Sequence, residues 1–152
     1  MAAVHPHTTT TEPGGLMAAR RQRTKLLDAI HAFESALAVP SADPDWRVGV
    51  TTRLAALRAA FVEHIVVTEG PDGLYAELLH TAPRLARAVG RLVREHTHIE
   101  SAVDALMVRL ATAGADGLRA CASDLLRELS RHRQRGADLV YEAYATDIGG
   151  DG

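Results

Sequence analysis

The chain of 152 residues is poor in aromatics: two Phe, one Trp and three Tyr. So few large flat side chains argue against a sheet-based core, which depends on aromatic and β-branched residues. Cys121 is the only cysteine, which excludes a disulfide framework and makes a reducing cytoplasm the expected location. No apolar run approaches the roughly 20 residues of a membrane span. The N-terminus has neither the charged start nor the apolar stretch of a secretion signal, so neither membrane insertion nor export is expected. A net charge of -2 lacks the basic excess of a nucleic-acid binder. Also missing are a strand–turn–helix phosphate loop, a paired-cysteine zinc motif and a Ser/His/Asp nucleophile arrangement.

What is present suits helices. Ala, Leu and Arg dominate, and all three are strong helix formers. Residues 1–15 hold His5-Pro6-His7, a run of threonines and Pro13-Gly14-Gly15, and are expected to form a disordered tail. Residues 16–146 read as one domain of four helices, with 147–152 a flexible tail. The first helix, from Leu16 or Ala18 to Leu37, has the apolar line Leu26, Ile30, Phe33, Leu37, with His31 on its flank. A two-proline connection ends it, and Asp43 before Pro44 predicts the cap and start of the second. That helix, from about Pro44 to Val67, has the line Val50, Leu54, Leu57, Phe61, His64, Thr68. Gly70 to Gly73 breaks the chain, and Leu74 to His80 reads as a short helical segment. The third long helix is expected from Pro83 to Ala113, and the fourth from Asp116 to Tyr144. Short connections between amphipathic helices predict an all-α, up-down-up-down four-helix bundle.

Three of the four apolar lines contain a histidine where a Leu would be expected. On the third helix the line runs Leu85, Val89, Leu92, His96, Ile99, Val103, Leu106, Leu110, alternating four- and three-residue steps. On the fourth it runs Leu118, Leu125, Leu129, His132, Gly136, Leu139, Ala143. His96 precedes Gly114 by about 18 residues and His132 follows it by about 18. At ~1.5 Å per residue each lies about 27 Å from the turn, so the two should face one another. The same counting leaves His64 about 10 Å off their level, unless Leu74–His80 climbs over the bundle end. His31 is offset further still. Buried polar groups need partners, and Glu100, one turn beyond His96, is the nearest carboxylate on the same face. His80 and His98 are expected in solvent.

These residues resemble the hemerythrin-like (HHE cation-binding) family. The resemblance rests on His64 with Thr68-Glu69, on His96-x-x-x-Glu100 and on His132, and spans about Leu16 to Tyr144. It implies a hemerythrin-like bundle with a di-iron centre that binds or senses oxygen, nitric oxide or peroxide. It also implies metal-ligand positions at His64, His96, Glu100 and His132, with His31 as the first-helix histidine. The chain departs from the pattern at Thr68 and Gly136, which stand where bridging carboxylates are expected. Glu69 and Asp138 lie nearby as substitute ligands, displaced round their helices by about 100° and 200°. Three histidines and one carboxylate suit a single iron or zinc ion better than two. Gly136, costing about 1 kcal/mol in a helix interior, marks either close helix approach or room for a ligand, and mononuclear iron oxidation of an unidentified substrate is one use of that room. Arg135, one turn from His132, is within reach of Glu100. That opens the alternative of a metal-free bundle with a buried His/Glu/Arg network, acting in interaction or regulation, with a homodimer as one form it could take.

Overall fold

The computed structural model describes residues 14–149, with side chains described as far as residue 145. The fold is an all-α four-helix bundle, with no strand among the described residues. The long helices are α1 (Gly14–Ala38), α2 (Trp46–Glu69), α4 (Ala86–Arg109) and α5 (Ala115–Gly149); α3 (Leu74–Thr81) is a short strap between α2 and α4. Polar contacts give the directions. At one end the Arg47 guanidinium, at the start of α2, donates to the carbonyls of Leu110 and Ala113 after α4. Arg119, early in α5, donates to the Val39 carbonyl after α1. At the other end the start of α1 meets α3 through Glu77. The four long helices therefore alternate in direction.

The apolar lines read from the sequence form the interior. Phe33, Leu54, Leu57, Phe61, Ile99, Leu118 and Leu129 are fully enclosed, each worth about 1.5–3 kcal/mol in transfer free energy. The core has two parts. The larger runs from Trp46, Val50 and Leu118 through Phe61, Ile99 and Leu129. The smaller gathers Leu16, Leu74, Tyr75, Leu78, Leu85, Val89, Leu92, Leu139 and Ala143. On α4 the break between them falls between Leu92 and Ile99, and on α5 between Leu129 and Leu139. Those gaps are the positions of His96 and His132.

Element ends shift where a partner supplies a cap. The first helix starts at Gly14, earlier than expected, because the Glu77 carboxylate accepts from the backbone N–H of Gly15 at 2.7 Å and of Leu16 at 3.0 Å. Such donors have no partner within their own helix. A Cβ at Gly15 would stand 2.8 Å from that carboxylate and 2.9 Å from the Asp72 carbonyl, so a larger residue does not fit. The second helix starts later, at Trp46, because Asp43 caps a turn instead: its Oδ1 accepts from the Asp45 N–H at 2.9 Å and its carbonyl from Trp46 at 3.0 Å. Pro83 opens a 3-10 turn, Pro83–Leu85, before α4 begins at Ala86. The last helix continues through Gly149, beyond the expected end at Tyr144 and into the stretch expected to be a loose tail. The expected N-terminal tail falls, up to residue 13, outside the described residues.

Candidate metal centre

Between the two parts of the core, α2, α4 and α5 each contribute one imidazole. One ring nitrogen from each of His64, His96 and His132 lies within 4.8 Å of the other two. The ring centres are 4.9 Å apart for His64 and His96, 5.3 Å for His64 and His132, and 4.7 Å for His96 and His132. Phe61 closes the cluster on the larger-core side, stacked on His64 at 5.5 Å and edge-on to His96 and His132. The matched distances from the Gly114 turn bring His96 and His132 together. The expected offset of His64 is removed because α2 runs on to Glu69, and α3 with its 3-10 turn spans the bundle end before α4 starts.

The outer nitrogens are held by carboxylates. His96 Nδ1 lies 2.5 Å from Glu69 Oε2, and His132 Nδ1 lies 2.8 Å from Glu95 Oε1. A neutral imidazole bonded in this way donates from Nδ1 and carries a bare Nε2 facing inward. His96 Nε2 is 3.2 Å from the Tyr75 hydroxyl, and His132 Nε2 is 3.2 Å from His64 Nε2. One tautomer set satisfies all of these contacts: the Tyr75 O–H donates to His96 and the His64 Nε2–H to His132. Arg135 Nε lies 2.6 Å from Glu95 Oε2, close enough for an ion pair but off the line of a hydrogen bond.

Burial sets the protonation state. It is the largest cause holding His64 and His96 down to about 3, with repulsion from neighbouring histidines adding to it. His132 is lowered for the same first reason, against the opposing effect of its hydrogen bond to Glu95. Burial pulls Glu95 upward, but the His132 hydrogen bond and the Arg135 charge outweigh it and leave the carboxyl lowered. Burial raises both Glu69 and the Tyr75 hydroxyl. Neutral imidazole is the form that binds metal.

The other residues singled out from the sequence lie elsewhere. His31 is exposed on α1, because Ile30 and Phe33 occupy the core line there at 5% and 0% exposure. Glu100 is half-buried and is not part of the cluster. It stands about 70° from the centre of the α4 apolar stripe, on the opposite flank from Glu95. Arg135 accordingly pairs with Glu95 and not with Glu100. Asp138 is exposed and accepts from Gln134. Glu69 touches the cluster, through His96 Nδ1. His98 is exposed and paired with Glu128, and His80 is exposed. Sequence reasoning missed Glu95 and Tyr75. Glu95 adjoins His96 and points about 100° away towards α5, so its role shows only once α5 is in place. Tyr75 sits on the strap, whose path no periodicity specifies.

The three ring nitrogens, within 4.8 Å of one another, could hold one metal ion once drawn closer together. Two nitrogens at ~2.0–2.1 Å from a tetrahedral ion are about 3.4 Å apart, and the His64–His132 pair stands at 3.2 Å. Carboxylates on the far ring nitrogens are the usual outer support of metal-bound histidine. Among the described residues no carboxylate joins the cluster itself, and Glu69 and Glu95 are both occupied with Nδ1 atoms, so a bridged pair of irons lacks its bridges. A cavity of about 140 Å³ opens beside the cluster, lined in part by His64, His132, Thr68, Tyr75 and Gly136. A Cβ at Gly136 would meet nothing within 4 Å. That glycine marks open space and not a close helix approach.

No family model matches the sequence, and neither a curated protein nor a solved structure does.

Proposed function

We propose that this chain is a hemerythrin-like metal-binding protein that holds one divalent ion, iron or zinc, on His64, His96 and His132. The cavity beside Gly136 would give a small oxidant or gas, such as oxygen, nitric oxide or peroxide, access to that ion. The observation that carries the reading is the convergence of three neutral imidazoles from three helices, two of them braced from behind by Glu69 and Glu95. The metal supplies the redox or Lewis-acid chemistry. The protein fixes the ring tautomers, excludes bulk water with Phe61 and leaves one side open. The single free thiol, and the lack among the described residues of any helix long and apolar enough to cross a membrane, suit a cytoplasmic protein.

Purification from metal-supplemented cells without chelator, followed by elemental analysis, tests this. About one equivalent of iron or zinc is expected from the three-histidine donor set. His96→Ala should lower both metal content and melting temperature, whereas His31→Ala and Glu100→Gln should leave the metal content unchanged. Less than about a tenth of an equivalent in the unaltered protein overturns the reading.

A second reading, a metal-free interaction or regulatory bundle, is favoured by one observation. The tautomer set described above leaves no imidazole nitrogen facing the interior without a partner. On that reading added iron or zinc leaves the melting temperature unchanged. A rise of several degrees excludes it, because a ligand of the native state stabilises by mass action.

A further inference from the structure

The cavity beside the histidines is wedged between α1 and α5, with α2 and α3 behind it. Its walls differ in character. Leu16, Leu26, Leu74 and Val140 form apolar surface, while Arg20, Arg23 and Arg133 also line it. Arg133 is half-buried, and its Nε is enclosed without a hydrogen-bond partner. Three guanidinium groups of the same sign line one pocket, and Arg133 carries an enclosed N–H with no partner among the described residues. Leaving such a donor unmet costs about 1–3 kcal/mol, and a guanidinium's fork matches a carboxylate.

We infer that this cavity is a binding site for a small organic carboxylate, with its anionic head on Arg133 and Arg23 and its apolar body against Leu16, Leu26, Leu74 and Val140. Size limits the body. A cavity of about 140 Å³ is close to the ~150 Å³ that holds a benzene molecule, so a chain of about five or six carbons is the fit. Gly136 keeps the inner wall open, since any side chain there would project into unfilled space. The site stands on the arginine pair and the cavity, not on a bound metal. Metal analysis and ligand titration therefore fail independently.

The test titrates hexanoate into the full chain by calorimetry and by amide chemical shifts, once after chelator treatment and once after loading with zinc. Saturable binding is expected in the chelated protein, with shifts centred on α1 and α5. Arg133→Gln and Arg23→Gln should each weaken it by about tenfold, the loss of one charge-assisted contact. Hexanamide, which has the same shape without the charge, should bind more weakly by about as much or more. Gly136→Leu should block the pocket and abolish binding while the helical circular dichroism is retained. Hexanamide binding as well as hexanoate, or both arginine variants binding as well as the unaltered chain, overturns the inference. Inorganic phosphate competing on equal terms with hexanoate also overturns it, because the apolar wall would then play no part. Binding seen only after zinc loading overturns it too, placing the anion on the metal and not on the arginines.

Discussion

Lowering the pH from 7.0 to 5.5 should destabilise the metal-free protein by an amount set by its buried histidines. In the unfolded chain His64 and His96 take up protons near their ordinary value of 6.5, whereas in the folded protein burial holds both down to about 3. The unfolded state therefore binds more protons at every pH between those limits, and stability falls as pH falls through 6.5. Integrating over the interval gives about 1.25 kcal/mol for each histidine, or about 2.5 kcal/mol for the pair. His132, lowered in the same direction, adds to the loss. Glu69, raised by burial, opposes it, but only as the pH nears the carboxylate range. A domain of this size has about 5–15 kcal/mol in all, so the loss is readily measured. Urea unfolding followed by circular dichroism at pH 7.0, 6.5, 6.0 and 5.5, in buffer containing chelator, gives the free energies. His64→Leu should remove roughly half of the two-histidine slope. A stability that stays flat between pH 7.0 and 5.5, or a slope unchanged in His64→Leu, refutes the assignment of neutral, enclosed imidazoles.

Two further outcomes test the surroundings of the cluster. Tyr75→Phe removes the hydroxyl 3.2 Å from His96 Nε2 and should cost the chelated protein about 1–3 kcal/mol, the penalty for a buried acceptor left unmet. In zinc-loaded protein the same substitution should cost less, and equal losses in the two forms would show that His96 Nε2 does not turn to the metal. Glu77→Ala removes the carboxylate that caps α1 at Gly15 and Leu16 and should cost about 0.5–2 kcal/mol. Faster amide exchange confined to the first turn of α1 should accompany it, and unchanged exchange there would refute the capping role.

The bundle was legible in the sequence because apolar residues at helical spacing have one physical use, burial on one side. Leu54, Phe61, Ile99 and Leu129 went where their spacing put them. His96 and His132 met because a short connection leaves no freedom in relative height. What escaped depended on directions across helices. Glu100 looked like a partner for His96 because it lies one turn along the same helix, yet the carboxylate on His96 comes from Glu69 on another helix. His31 drew notice as a histidine on the first helix, but Ile30 and Phe33 had already filled the core line beside it. Tyr75 could not be assigned because eight residues between two breaks can pack in many ways, and its position depends on where α3 crosses the bundle end.

The helix connections also bear on the order in which the protein assembles. Each of the pairs α1–α2 and α4–α5 is joined by a short connection, so each can zip up from contacts close in sequence, which form quickly. The histidine cluster cannot form in this way. His64 and His132 are 68 residues apart in the chain, and they meet only when the two hairpins dock. His132 and Glu95 already share the α4–α5 hairpin, whereas the contacts from α2, His64 with His132 and Glu69 with His96, are made only at docking. Quenching of the single tryptophan reports only on the far end of the bundle, where Trp46 lies in the larger core. A probe on His64, by contrast, times the docking step itself.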